Sequence, residues 1–180
     1  MNSDLPVLGF LGGTGPHGRG LGLRLGRAGH RVLIGSRDAA RAHEVAAALS
    51  ERVAGGKFEG LDNAGVCEAA DVLLVTLPND SVAGLLAGLS GAIGAKVVIS
   101  CVNSLAFDER GPTVARAPDG SWAEECQRLL PDARVVSAFQ NVSSAKLRAG
   151  EEPVRADVLV CGDDLGAKEI AMELARHIPG

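Results

Sequence analysis

Short apolar runs alternate along the chain with stretches whose apolar residues recur every three or four positions. This alternation predicts strands and helices in turn, and hence a doubly wound α/β fold. Because the runs are apolar at nearly every position, we expect a parallel sheet covered by helices on both faces. The predicted strands are 6–12, 31–35, 57–60, 72–77, 96–101, 133–138 and 156–161, and the predicted helices are 18–28, 38–54, 62–70, 80–90, 122–130, a short one ending at Leu147, and 164–177.

Residues 102–120 interrupt the alternation and contain several turn-forming residues, Gly111, Pro112, Pro118 and Gly120. An irregular segment of this length is uncommon in a compact domain, so we predict an ordered loop that covers or shapes a site. Polar residues at the helix starts are expected to act as N-caps: Asp38, Ser121 in a capping box with Glu124, and Asp163 or Asp164. For Trp122 we predict packing rather than ligand stacking.

The first predicted strand leads directly into a glycine-rich turn, Gly12-Gly13-Thr14-Gly15-Pro16-His17-Gly18, in which Gly13, Gly15 and Gly18 match G-x-G-x-x-G. In this motif the first glycine permits a tight turn, the second lets the backbone approach a pyrophosphate, and the third allows close packing of helix on strand. The following helix offers free N–H groups and the positive end of its dipole to an anion. The strand before and the helix after are the context the motif requires, so we predict a Rossmann-like NAD(P)-binding fold. The alternative is a glycine-rich turn in another α/β protein.

The end of the second predicted strand indicates which dinucleotide is bound. NAD-binding proteins carry an acidic residue there, which accepts hydrogen bonds from the ribose 2′-OH. This chain has Ser36 and Arg37 instead, and Arg41 follows one helical turn later. Serine and arginine side chains can bind a 2′-phosphate, whereas Asp38 is better interpreted as a helix cap. We therefore predict NADP rather than NAD. The alternative is that the two arginines belong to a solvated helix start and bind no ligand.

Composition narrows the function further. The chain has 180 residues, of which 46% are hydrophobic, enough for one domain with a substantial core. The formal net charge is −4, and there is no long basic run, which argues against a nucleic-acid partner. No apolar stretch reaches the ~20 residues of a membrane span. Residues 1–4 lack the features of a signal peptide, which favours a cytoplasmic location.

Cysteines and histidines show no pattern of a metal or catalytic centre. The four cysteines, at 67, 101, 126 and 161, form no C-x-x-C pair, and we expect buried free thiols. The four histidines, at 17, 30, 43 and 177, have no ligand spacing, so we predict no metal site. No catalytic constellation of His, Cys or carboxylate residues stands out, and we predict no catalytic residue.

Several segments together resemble the F420H2:NADP oxidoreductases, also called NADPH-dependent F420 reductases. The resemblance covers nearly the whole chain. The segments are 12–15, 18–25, Gly29-His30, Ile34-Gly35-Ser36-Arg37, Thr76-Leu77-Pro78, 100–103, 107–112, 135–139 and 160–164.

This resemblance implies reversible hydride transfer between NADP(H) and the deazaflavin coenzyme F420, a reaction in which the protein mainly orients two rings. It implies that Thr14, Gly15, Pro16 and His17 cradle the pyrophosphate, and that Ser36, Arg37 and Arg41 hold the 2′-phosphate. By the same resemblance Leu77, Ser81 and Asn103 line the NADP path, and Gln140 with Ser143 and Ser144 flank the place where the rings meet. It also implies a homodimer.

Two departures from the family are visible. Gln140 stands where the family often has histidine, and the family usually continues with a further strand, a loop and a helix. We therefore expect one Rossmann-type domain over 1–180, with 139–180 as a C-terminal extension lacking the usual final elements. Two other functions stay open: an NADPH-dependent reductase of a small imine or carbonyl substrate, and a non-catalytic NADP(H)-binding protein.

Overall fold

A six-stranded parallel sheet forms the centre of the fold, as seen in a computed structural model that describes residues 5–118, 120–149 and 152–179. The strands of the described residues, six in this sheet and two in a separate hairpin (β6 and β7), are β1 (Leu8–Leu11), β2 (Arg31–Ser36), β3 (Lys57–Asp62), β4 (Val72–Val75), β5 (Val97–Ser100), β6 (Leu105–Asp108), β7 (Gly111–Val114) and β8 (Arg134–Ser137). The large sheet has the order β3-β2-β1-β4-β5-β8, with every neighbouring pair parallel. This is the order of a Rossmann fold, so the predicted fold class is confirmed.

Helices cover both faces of the sheet. They are α1 (Pro16–Arg27), α2 (Ala39–Arg52), α3 (Asn63–Ala69), α4 (Val82–Leu86), α5 (Ser90–Ile93), α6 (Trp122–Leu129), α7 (Ser144–Ala149) and α8 (Leu165–Arg176). Alternate residues of each strand enter opposite cores because side chains in a strand alternate between faces. Phe10 joins a core with α1, α2, α7 and α8, whereas Leu11 joins a core with α3, α4, α5 and α6.

Three of the predicted segments differ from the structure. The predicted helix 80–90 is a 3-10 turn at Asn79–Ser81 followed by α4 and α5, separated at 87–89. Glycines at 84, 88 and 91 weaken continuous helix here, since glycine costs about 1 kcal/mol relative to alanine at each interior position.

The predicted loop at 102–120 contains a β-hairpin, so the prediction is wrong for 105–114. β6 and β7 pair antiparallel, with Leu105 opposite Val114 and Phe107 opposite Pro112. Gly111 has φ +115, a conformation that glycine adopts without strain, and Asp108 accepts from the Arg110 N–H at 2.8 Å. The pairing places four apolar side chains on one face of the hairpin, with Phe107 74% exposed.

The predicted strand 156–161 is also wrong. Within this segment Cys161 alone forms a bridge, antiparallel to Ser137, with N···O distances of 2.8 and 3.0 Å. The segment lies beyond β8 at the sheet edge, where Leu159 remains 64% exposed. Its apolar residues therefore do not enter a buried central strand, and Cys161 is exposed rather than buried as predicted.

The remaining thiols and the predicted caps agree with expectation. Cys67, Cys101 and Cys126 are buried and free. The Asp38 carboxylate accepts from the N–H groups of Ala40 and Arg41, at 3.0 and 3.3 Å. A capping box joins Ser121 and Glu124, Asp164 caps α8, and the Trp122 indole packs on the second core while donating to the Ala115 carbonyl.

The signal-peptide prediction concerns residues 1–4, which lie outside the described residues. Among the described residues no helix has the length and apolar character needed to cross a membrane. In the same residues no cluster of three or more His, Cys, Asp or Glu side chains is arranged to hold a metal ion.

Candidate functional site

A groove of about 1300 Å³ lies at the carboxyl ends of the parallel strands, where the strand order reverses between β1 and β4. Open α/β sheets bind ligands at this switch point. The groove brings together most of the residues predicted from the sequence: Thr14, Gly15, Pro16, His17, Ser36, Arg37, Arg41, Leu77, Ser81, Asn103, Gln140 and Ser144.

Gly13 and Gly18 shape the glycine loop from behind the groove. The Gly13 N–H donates to the carbonyls of Phe10 and Gly35, at 3.2 and 2.9 Å, which ties the turn to β2. A Cβ added to Gly18 would lie 2.7 Å from Cα of Gly13. The loop and the first turn of α1 therefore touch backbone to backbone, as the motif requires.

The N-terminus of α1 faces the groove with its donors available. Gly15 is the N-cap and has no side chain with which to cap the helix, and the first turn carries no acidic residue. Arg19 holds the loop by donating from Nε to the Thr14 carbonyl at 2.7 Å. N–H groups left in this way, with the positive end of the helix dipole, suit a pyrophosphate.

The His17 ring gives a second sign of a polar ligand. Its Nε2 is buried and has no hydrogen-bond partner among the described residues, and the side chain lines the groove. Burial lowers the pKa of His17, so the ring is neutral near pH 7. A buried polar atom of this kind normally has a partner, and a ligand in the groove would supply one.

The corner formed by the end of β2 is basic. Arg37 and Arg41 are exposed and line the groove, and Ser36 is only 8% exposed. The Ser36 hydroxyl oxygen accepts from the Asp38 N–H at 3.2 Å, which leaves its hydrogen available for donation. Since the Asp38 carboxylate already caps α2, its predicted role as a cap is confirmed and an acidic ribose ligand is missing at this position.

A network of amide side chains joins the ends of β4, β5 and β8 at the other end of the groove. Asn103 donates to the Gln140 carbonyl and accepts from the Leu105 N–H, both at 3.0 Å. Asn79 donates to the carbonyls of Asn103 and Leu105, both at 3.2 Å. The hairpin is thereby fixed at the groove mouth, which Leu105 and Ala106 line.

The chain after β8 turns sharply into the groove wall. Phe139 is fully buried and has φ +70, in the left-handed region that non-glycine residues rarely adopt. Such a conformation persists only where surrounding packing enforces it. It directs residues 140–144 along the groove, where all five line the wall.

Some of the groove residues were not predicted from the sequence. Asn63 is 5% exposed and accepts from the Gly12 N–H at 3.3 Å, so it supports the glycine loop. It follows β3 directly, whereas the predicted strand ended at residue 60 and position 63 lay inside a predicted helix. Leu105 and Ala106 belong to the hairpin that was predicted as a loop. Thr76, which the family resemblance already included without a role, donates to the Leu11 carbonyl at 3.1 Å and follows β4 directly.

The sheet order, glycine loop, open helix N-terminus and basic corner define a Rossmann-type dinucleotide-binding protein. Comparison with known sequences gives the family. Residues 7–104 match the family described as "NADP oxidoreductase coenzyme F420-dependent". The F420-dependent NADP reductase of Methanocaldococcus jannaschii is 37% identical over 177 residues, which is 95% of this chain and 79% of that protein. The enzyme of the same name from Methanothermobacter marburgensis is 38% identical over 176 residues, 94% of this chain and 79% of that protein. This chain belongs to the F420-dependent NADP oxidoreductase family, and the predicted membership is confirmed.

Solved structures agree with this fold. A hypothetical protein from Sinorhizobium meliloti superimposes with a TM-score of 0.76 at 22% identity, covering 97% of this chain and 82% of that one. A pyrroline-5-carboxylate reductase from Coxiella burnetii gives a TM-score of 0.68 at 18% identity, covering 98% of this chain and 57% of that one. At these identities the likeness shows the fold alone.

Proposed function

We propose that this chain transfers a hydride between NADP(H) and coenzyme F420. The observation that carries the proposal is the groove of a family member in which Ser36 and Arg37 end β2 in place of an acidic residue. That corner suits the 2′-phosphate that distinguishes NADP from NAD.

The groove fits NADP along its length. The N–H groups in the first turn of α1, after Pro16, would bind the pyrophosphate, and the buried Nε2 of His17 would gain a polar partner there. Arg37 and Arg41 would hold the 2′-phosphate with the Ser36 hydroxyl. These are the same roles that the family resemblance predicts for these residues.

The other end of the groove suits the meeting of two planar rings. Leu77, Ser81 and Asn103 would line the path of NADP, and Gln140 with Ser143 and Ser144 would flank the rings. The two coenzymes supply the hydride chemistry when bound, and the protein supplies orientation and the exclusion of water. Orientation alone can lower such a barrier by about 7–11 kcal/mol. We assign no catalytic acid, base or nucleophile.

The direct test mixes protein, F420 and NADPH and follows the deazaflavin absorbance. We expect the band to bleach, and to bleach far more slowly when NADH replaces NADPH. The reverse reaction, from reduced F420 to NADP+, is measured in parallel. NADPH binding seen by calorimetry, with no change of absorbance in either direction, would exclude the F420 reaction and leave a binding protein.

We also propose that residues 1–180 form one Rossmann-type domain, with 139–180 as its C-terminal extension. In support, Leu147 of α7 and Ala167 of α8 belong to the same core as Leu8 of β1. We further propose the homodimer predicted from the resemblance, which light scattering tests: a monomeric mass at high concentration would contradict it. The cytoplasmic location stays a prediction.

A further inference from the structure

We infer that Arg24 is a positioning residue for hydride transfer, although its side chain does not line the groove. It fixes the wall formed by residues 140–144 to α1, the helix whose N-terminus faces the pyrophosphate. The inference rests on the proposed function, because it concerns the distance between the two ligands in that groove.

The Arg24 guanidinium is buried and donates mainly to the short helix α7. It is 4% exposed and donates from Nε to the Leu147 carbonyl at 3.0 Å, and from Nη2 to the Lys146 carbonyl at 2.9 Å. A third donor, Nη1, reaches the Glu152 carbonyl at 2.7 Å. The carbonyls in the last turn of a helix have no intrahelical partners, so Arg24 supplies the partners that end α7. The planar fork of arginine carries five donors and therefore suits several acceptors held at fixed positions.

A glycine one turn earlier on α1 sets the distance between the two helices. A Cβ added to Gly20 would lie 2.6 Å from Cβ of Leu147. No side chain of α1 intervenes at this point, so α7 rests almost on the helix backbone. Gly20 fixes how close α7 comes, and Arg24 fixes where its last turn lies.

The other end of α7 lies in the groove. Ser144 begins the helix and lines the site beside Ser143. The Ser143 carbonyl accepts from the Leu147 N–H at 3.0 Å, which links the wall to the anchored turn. A helix this short spans about 9 Å, so a shift of its last turn displaces Ser144 as well.

One helix thus holds both sides of the proposed reaction. The N-terminus of α1 faces the pyrophosphate, and its Gly20 and Arg24 hold the wall where the rings would meet. Arg52 of α2 adds a weaker support, donating from an exposed side chain to the Arg148 carbonyl at 2.8 Å. Loss of Arg24 should therefore loosen α7 without detaching it.

The first experiment compares Arg24→Met with Arg27→Met, an exposed arginine three residues later on the same helix. For Arg24→Met we expect kcat with F420 and NADPH to fall on the order of tenfold, and the Kd for NADPH to stay within about twofold of wild type. Hydrogen exchange at the amides of residues 147–149 should accelerate about tenfold, while exchange in β1 and β4 stays unchanged. Arg27→Met should match wild type in all three measurements, and Arg24→Lys should recover part of the loss.

The second experiment displaces α7 without touching Arg24. Gly20→Ala adds a Cβ against Leu147, whereas Gly22→Ala adds one that meets Ile34 and Val32 at 3.4 Å, an ordinary contact. We expect Gly20→Ala to lower kcat with unchanged NADPH affinity, and Gly22→Ala to leave both unchanged. If Arg24→Met does not fold, this pair of variants alone tests whether the position of α7 controls kcat.

Two results would overturn the inference. One is unchanged kcat and unchanged exchange in α7 for both Arg24→Met and Gly20→Ala. The other is a parallel loss of NADPH affinity and of protection throughout the sheet, which would make Arg24 a general stability residue. If wild type itself does not react with F420, the proposed function fails, and exchange in α7 alone then decides whether Arg24 positions the wall.

Discussion

Nε2 of His30 lies 2.9 Å from Nδ1 of His177, and Nδ1 of His30 lies 3.1 Å from the Pro6 carbonyl oxygen. Because a carbonyl only accepts, Nδ1 of His30 carries the proton that it donates, and Nε2 of the neutral ring accepts from His177. This contact joins the start of β2 to the end of α8. Protonation of His30 at Nε2 would remove this acceptor, and His177 would then have to move its own proton to Nε2 and accept at Nδ1 to keep the contact.

We expect the protein to lose stability on mild acidification. Burial, and after it the neighbouring His177, lower the pKa of His30, against the opposing effect of the Pro6 carbonyl. In the unfolded chain the ring binds its proton near pH 6.5, and in the folded chain only at lower pH. The unfolded state therefore holds more protons between these two values, so the free energy of unfolding falls as pH falls through that interval. Urea unfolding at pH 8 and pH 5 measures the loss.

His30→Gln isolates this effect. At pH 8 the variant should have a free energy of unfolding lower by about 1–3 kcal/mol, because a buried hydrogen-bonding group loses its partner. Its unfolding free energy should then depend less on pH than that of wild type. The control is His43→Gln, since His43 is exposed on α2. An unchanged pH dependence in His30→Gln would show that other groups cause the acid sensitivity.

Arg37→Ala should weaken binding of NADPH and leave binding of NADH unchanged. A charge-assisted contact to phosphate contributes about 1.5–3 kcal/mol, so we expect the Kd for NADPH to rise on the order of tenfold or more. NADH lacks the 2′-phosphate and serves as the internal control. Fluorescence titration with both nucleotides measures the difference. Equal weakening of both would contradict the assignment of this corner to the 2′-phosphate.

Gly18→Ala should abolish tight NADPH binding. The added Cβ would lie 2.7 Å from Cα and 2.8 Å from the carbonyl oxygen of Gly13, so the loop must move. Gly91→Ala is a suitable control, because nothing lies within 4 Å of the added Cβ in α5. That control should be stabilised by about 0.5–1 kcal/mol, with NADPH affinity unchanged. Calorimetric titration of both variants gives the comparison.

Cys161 should react with a thiol reagent before the other cysteines. It is exposed, whereas burial raises the pKa of Cys67 and Cys126 to about 11 and that of Cys101 further. At pH 8 we expect one thiol to react quickly with Ellman's reagent, and the other three only on unfolding. Cys161→Ser should remove the fast phase. A fast phase that survives in this variant would place an accessible thiol elsewhere.

The strands at the centre of the sheet were predictable because their burial is complete. In β1 and β4 every residue is buried, and the corresponding runs are apolar throughout. Helix starts were equally predictable from the sequence where a side chain caps them, as Asp38 caps α2. The groove followed from topology, since the residues after each strand collect at one edge of a parallel sheet.

Two of the three errors fall where burial is partial. The run 156–161 is as apolar as a central strand, but it lies outside β8 with one possible partner. The hairpin strands β6 and β7 have only four residues each, and their apolar side chains remain exposed. Hydrophobic pattern cannot distinguish an exposed edge from a covered strand, so both errors come from tertiary position.

Helix α1 has glycine at positions 18, 20, 22 and 26, three of which would clash with neighbours if they carried a Cβ. At about 1 kcal/mol for each glycine, this segment has little tendency to be helical alone. We expect it to become a helix only when the strands beneath it and the packing partners Phe58 and Leu147 are in place. A growing chain should therefore acquire its anion-binding helix late in folding, although the residues that form it are among the first to be synthesised.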